Sequence, residues 1–105
     1  MIVRYHPEFS EDVKRFRRQY SDISERLGVR FEAEVDAAIA RIKEAPASAG
    51  HFLQVPSEVV RDIRRRNLSS FPFFVLYGQH GDMLMFGSVI PTRTDPLTWL
   101  KRFEE

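Results

Sequence analysis

Apolar positions along the chain recur with two periods, and each period marks a different kind of element. Phe9, Val13, Phe16 and Tyr20 follow one another at spacings of four, three and four, which is one face of an amphipathic helix. Lys14, Arg15, Arg17 and Arg18 fall on its other sides. Pro7 suits the first helical position, where its missing N–H had no partner to lose, and Glu8 suits the positive end of the helix dipole. A second stripe, Ile23, Leu27, Phe31, Val35, Ala38, Ile39 and Ile42, keeps helical spacing as far as Glu44, and Ala45-Pro46 ends it. Ser21-Asp22 reads as the break between the helices, with Glu25 placed to complete a cap. Gly28 interrupts the second stripe at a cost of ~1 kcal/mol relative to Ala, so a bend or restart is expected there. The short link predicts an antiparallel helical hairpin. Ile2–Tyr5, before it, reads as a short strand.

Beyond residue 58 the period becomes two. Val59 to Pro96 reads as an antiparallel meander of three strands. In the first, Val59–Leu68, neither face is cleanly apolar, which suggests a bulge or an edge position. The second, Phe71 to Gly78, is apolar on both faces and should be central, with Pro72 confined to its start. Gln79-His80-Gly81-Asp82 is the hairpin turn, and Met83–Ile90 is again apolar on both faces until Pro91 stops it. Ala47–Ser57, with Gly50 and Pro56, reads as an irregular surface loop. Leu97–Phe103 reads as a short last helix capped by Asp95, with Pro96 at its first position. The predicted class is α+β in the order β-α-α-β-β-β-α. An N-terminal helical hairpin packs on one face of a small antiparallel sheet, in one domain spanning residues 1–105.

Composition fits a soluble globular domain, with 43% apolar and 30% charged residues. There is no cysteine, which excludes disulfides and thiolate metal sites. The sequence shows no secretory h-region and no run of membrane-spanning length, so a cytoplasmic protein that does not enter membranes is expected. The net charge of +1 argues for no partner, but its distribution is uneven. Arg61, Arg64, Arg65, Arg66 and Arg93 face only Asp62 and Asp82 between Val59 and Arg93. Arginine forks match phosphate and carboxylate in a way lysine does not.

The histidines, His6, His51 and His80, are scattered without carboxylates at ligand spacing, so no metal site is expected, and no glycine-rich loop implies a nucleotide cofactor. What remains is an arginine-rich sheet with aromatics nearby. Arg61, Arg64, Arg66, Arg93, Tyr77 and Trp99 are the candidates for binding a target, the guanidiniums holding anionic groups and the rings stacking. Metal-free RNA cleavage on such a surface needs proton carriers as well as cations. Asp62, Asp82, His80 and Asp95 are the only candidates near the sheet, and each has an ordinary turn or cap role.

Several of these residues, in this order, resemble the RelE/ParE superfamily, the toxins of type II toxin–antitoxin or plasmid-stabilisation modules. They are Pro7-Glu8, the two striped helices with Phe31, Glu34-Val35, Ile39, Ile42 and Pro46, then Val60-Arg61, Phe71-Pro72-Phe73, Tyr77 and Arg93-Thr94-Asp95-Pro96. The resemblance covers nearly the whole chain. It implies the same β-α-α-β-β-β-α fold and a cognate antitoxin bound as a hetero-oligomer. Phe9, Phe16, Leu53 and Val55 are the candidates for antitoxin contact, on a groove between the helical hairpin and the sheet edge. The superfamily has two activities. RelE-like members cut mRNA on the ribosome, which would make Arg61, Arg64 and Arg93 catalytic. ParE-like members poison DNA gyrase. This chain has Phe74 where the ribonucleases tend to carry an arginine, Trp99 where a tyrosine is expected, Pro91 where a histidine is common and Thr94 for the second arginine. Each departure removes charge-stabilising or proton-transfer capacity, which favours the ParE-like, non-enzymatic alternative; a third reading is a relative without toxicity, kept as an antitoxin-binding module.

Overall fold

A computed structural model describes residues 1–53, 62–94 and 102–103. Its elements run β1 (Ile2–Tyr5), α1 (Phe9–Ile23), α2 (Glu25–Glu44), β2 (His51–Leu53), β3 (Asp62–Asn67), β4 (Phe73–His80) and β5 (Met83–Pro91). The five strands form one sheet in the order β1-β5-β4-β3-β2. The α+β class and the N-terminal helical hairpin are as the periodicity predicts. The sheet is mixed rather than wholly antiparallel, because β1 lies parallel to β5. The two-helix excursion that follows β1 supplies the long connection a parallel pairing needs.

The helical break falls at Ser24, not at Ser21-Asp22. Ser24 alone is extended (φ −160°, ψ 131°). Its N–H closes α1 on the Tyr20 carbonyl, and its own carbonyl accepts from Leu27 and Gly28 to start α2. Gly28 does not restart α2, which is continuous from Glu25 to Glu44. It is a crossing point between the helices. A Cβ built there would lie 1.9 Å from Ser21 Oγ and 3.2 Å from the Arg17 carbonyl oxygen. Gly28→Ala should therefore lower stability by about 1–2 kcal/mol despite its gain in helix propensity. Thermal unfolding checks this, and adding Ser21→Ala should restore much of the loss.

β4 is the central strand, as its two apolar faces require, and each face has its own core. Toward the helices, Phe73, Val75 and Tyr77 of β4 join Leu84, Phe86 and Val89 of β5 and Phe9, Phe16, Phe31, Val35, Ala38 and Ile42 of the hairpin. On the other face, Ile63, Phe74, Leu76 and Ile90 enclose Phe103, which is fully buried. The far face is therefore not an open display of arginines.

Three details of the sheet depart from the sequence pattern. His51–Leu53, expected as loop, pairs with Ile63–Arg65 as an edge strand, since backbone hydrogen bonds extend a sheet whatever the side-chain pattern. β3 pairs with β4 without a shift, and it is flanked by β2, so it is neither bulged nor an edge. The bulge sits in β5, where Leu76 faces Ser88 and Tyr77 faces Phe86, leaving Gly87 as the extra residue. The β4–β5 turn is only Gly81-Asp82. Positive φ at its first residue alone (Gly81, 57°) is the II′ hairpin pattern. The expected last helix lies almost wholly outside the described residues.

Candidate functional site

The arginines of β3 alternate between the two faces of the sheet, as strand geometry dictates. Arg65 turns to the far face. Its guanidinium lies 4.2 Å from the Phe74 ring centroid and donates to Asn67 Oδ1 at 3.1 Å. Arg64 and Arg66 turn to the helix side at its margin, where the chain leaving α2 passes over them. Arg64 Nε donates to Asp62 Oδ1 at 2.9 Å, and its Nη1 to the Gly50 carbonyl at 3.3 Å. Arg66 Nη1 donates to the Ala49 carbonyl.

A third donor completes the stitch. Tyr77, opposite Arg64 in the ladder, donates its hydroxyl to the Pro46 carbonyl at 2.9 Å. Three side chains thus hold three carbonyls of the segment between α2 and β2. Gly50 makes the close approach possible, since a Cβ there would come within 2.6 Å of both the Arg65 carbonyl and the Tyr77 hydroxyl. These donors tie the loop to the sheet and satisfy three of its carbonyls.

The sequence places Tyr77 on a binding surface; the structure does not. Tyr77 is fully buried, because its strand position points into the helix-side core. Its phenol is pushed up to about 12, chiefly by burial. Arg64 pulls the other way, Asp62 adds to the rise and Arg66 opposes it. The folded state therefore holds this proton more tightly than the unfolded chain, whose tyrosines ionise near 10. The resulting stability is complete below pH 10 and is lost as the pH climbs from 10 through 12. Thermal midpoints measured from pH 8 to 11.5 should show this decline, and Tyr77→Phe should flatten it.

Phe9 and Phe16 are likewise not exposed. Phe9 packs on Tyr5 and Phe86 at centroid distances of 5.3 and 6.0 Å, and Phe16 meets Phe73 edge-on at 4.7 Å. Leu53 lies in β2 opposite Ile63. Arg61, Val55 and Trp99 fall outside the described residues, as does Asp95. Arg93 is exposed in the turn after β5, which is fixed by Thr92 N–H to the Pro72 carbonyl and Thr94 N–H to the Pro91 carbonyl. The possible proton carriers are dispersed. Asp62 is bound to Arg64, Asp82 lies 3.6 Å from the N-terminal amine, and His80 is exposed at the end of β4. No group of three or more metal-ligating side chains occurs among the described residues.

Two features stand apart from the sheet arginines. One is a groove of about 540 Å³ between α1 and α2, reaching to the end of the edge strand β1; of the residues expected on a groove beside the hairpin, Phe9 lines it and Phe16 does not. Tyr5, Phe9, Val13, Val35 and Ile39 give it an apolar lining. Lys14 and Arg17 rim one side, Glu32 and Asp36 the other, and Arg17 bridges to Glu32 at 2.6 Å. The other is a buried polar cluster at the margin of β5. Arg102 donates to Asp12 and to the Gly87 carbonyl, Ser88 Oγ donates to Asp12 at 2.8 Å, and Glu8 lies 3.5 Å from Arg102. The sequence held one signal for it: Asp12 lies three residues after Phe9 and four before Phe16, an acid on an apolar helical face.

No helix among the described residues is long and apolar enough to cross a membrane. No family model matches the sequence, and no curated protein does. A search of solved structures finds the same fold in a chain described as "Chromosomal ParDE TA system from P. aeruginosa". The TM-score is 0.71 over 87% of this chain and 95% of that one, with 12% identical residues.

Proposed function

We propose that this chain, whose fold is that of the RelE/ParE toxins, is the toxin of a type II toxin–antitoxin module, ParE-like in inhibiting DNA gyrase rather than cutting mRNA. The likeness to a ParDE chain over most of both lengths supports the module. The state of the sheet guanidiniums supports the choice of target. Arg64 and Arg66 are engaged with Asp62 and with loop carbonyls, so they order the fold instead of presenting a phosphate cradle. Phe74, where the ribonucleases tend to carry an arginine, is fully buried in the second core. Tyr77 holds its proton inside the first.

The antitoxin is neutralising on this reading, and the groove between α1 and α2 is its seat. Phe9 contributes there as part of the groove lining. Purified chain added to a gyrase supercoiling assay should reduce supercoiling and accumulate cleaved DNA, and the antitoxin should reverse both. Unchanged supercoiling with no cleaved complex would refute the target.

A further inference from the structure

The β4–β5 hairpin ends in three side chains with ligand chemistry. Two of the protein's three methionines, Met83 and Met85, lie in β5, and His80 ends β4 across the Gly81-Asp82 turn. Met83 is the ladder partner of His80, and Met85 faces Gly78, which puts no side chain beside it. All three project from one face. Phe74, Leu76 and Met85 belong to the second core, so the two-residue repeat carries His80 and Met83 to that far face as well. His80 is exposed, and both methionines are only part-buried. The His80 imidazole makes no hydrogen bond or ion pair among the described residues.

Strand geometry brings their donors together. Opposed Cβ atoms of a strand pair stand about 5 Å apart, and residues two apart on one strand about 7 Å. Each methionine sulfur ends an unbranched chain that turns freely. One ion above Met83 is therefore within reach of the imidazole and of both sulfurs. The donors select the ion. Thioether sulfur is soft and uncharged and suits Cu(I), whereas hard divalent ions want carboxylates. Among the described strands the one carboxylate is Asp62, which lies on the opposite face bound to Arg64. Asp82, in the turn, lies 3.6 Å from the N-terminal amine. Arg4, the exposed ladder partner of Met85, adds a positive charge that penalises a divalent ion more than a monovalent one. The chain has no cysteine to compete for a soft ion.

We propose that His80, Met83 and Met85 form a surface site for a soft monovalent cation of the Cu(I) class, held by one imidazole nitrogen and two thioether sulfurs. The bound ion bridges β4 and β5 at the end of their hairpin. The site stands apart from the toxin reading, and the fate of one does not decide the other.

Ag(I) is the probe, since it shares the softness of Cu(I) and needs no reductant. Silver nitrate is titrated into the full chain in chloride-free buffer, and the methionine methyl and histidine ring signals are followed by NMR. The signals of His80, Met83 and Met85 should shift together and saturate at a single equivalent, while those of Met1 and His6 stay in place. Zinc at the same concentration should move none of them. Met83→Leu and Met85→Leu conserve volume, so the chain should stay folded. Each should weaken Ag(I) binding by about tenfold or more, at least the loss that removing an outer partner of a metal ligand brings. His80→Gln should do the same. Shifts spread over Met1 and His6 without saturation would show an adventitious ion only and overturn the site. Equal binding of zinc would overturn its chemical class. Undiminished Ag(I) binding by a folded Met83→Leu chain would overturn the ligand set.

Discussion

Asp12→Ala should destabilise the protein by roughly 3–5 kcal/mol, because it leaves the Arg102 guanidinium buried without the carboxylate it is packed against. Asp12 is 2% exposed and Arg102 7% exposed, so water cannot take the place of the missing acceptor. The pair also joins distant parts of the chain, since Arg102 follows all five strands and Asp12 sits in the first turns of α1. Its neighbour Phe103 closes the second core, with its ring 2.9 Å from where a Cβ on Gly87 would stand. Loss of the ion pair should therefore loosen that core as well. Urea denaturation measures the cost. Replacing both partners at once, Asp12→Leu with Arg102→Met, should recover most of it, since the penalty lies in the unpaired charge rather than in the absence of the pair.

Phe31→Ala should cost about 3–5 kcal/mol, a large share of the 5–15 kcal/mol that holds a typical domain folded. Phe31 is fully buried at the middle of an aromatic cluster. It stacks on Tyr20 at 5.3 Å and meets Phe71 and Phe73 edge-on at 5.4 and 5.1 Å. Those contacts join α1, α2 and the start of β4, so truncation removes packing from three elements together. Phe31→Leu keeps most of the volume and should cost less than half as much. Near-UV circular dichroism and a denaturant titration of the two variants separate the lost packing from a general loss of fold.

The helices were legible because their stripes are long and regular. Phe9 to Tyr20 and Leu27 to Ile42 each repeat over several turns, and the observed helices bury or half-bury those positions, whereas Ile23, expected to open the second stripe, ends α1 exposed. β4 was legible from its two apolar faces. What the pattern could not carry was pairing that depends on backbone alone. Three residues, His51–Leu53, are too few to show a period, and β1 joins β5 across nearly the whole chain. The position of the helical break was lost for a similar reason. Ser21-Asp22 has the chemistry of a cap, but Ser21 is needed inside the crossing with Gly28, and Ser24 makes the turn with its backbone alone.

The site was harder to read than the fold. The alternation of a strand puts Arg64 and Arg66 on one face, and the structure does set them there. Their partners are carbonyls from a segment more than a dozen residues upstream, which no local pattern announces. Tyr77 was misplaced because a tyrosine in an all-apolar strand gives no sign of which way its hydroxyl is satisfied. The Pro46 carbonyl, on the half-buried loop after α2, answers that.

On the proposed reading, the guanidiniums of Arg64 and Arg66 order the loop after α2 and do not serve a cleaving phosphodiester. Primer extension across translated mRNAs, after induction of the chain in growing cells, examines that consequence at its source. The expected result is growth arrest with no new codon-positioned stops. Fresh stops at translated codons, abolished by Arg64→Ala in a chain that remains folded, would contradict it.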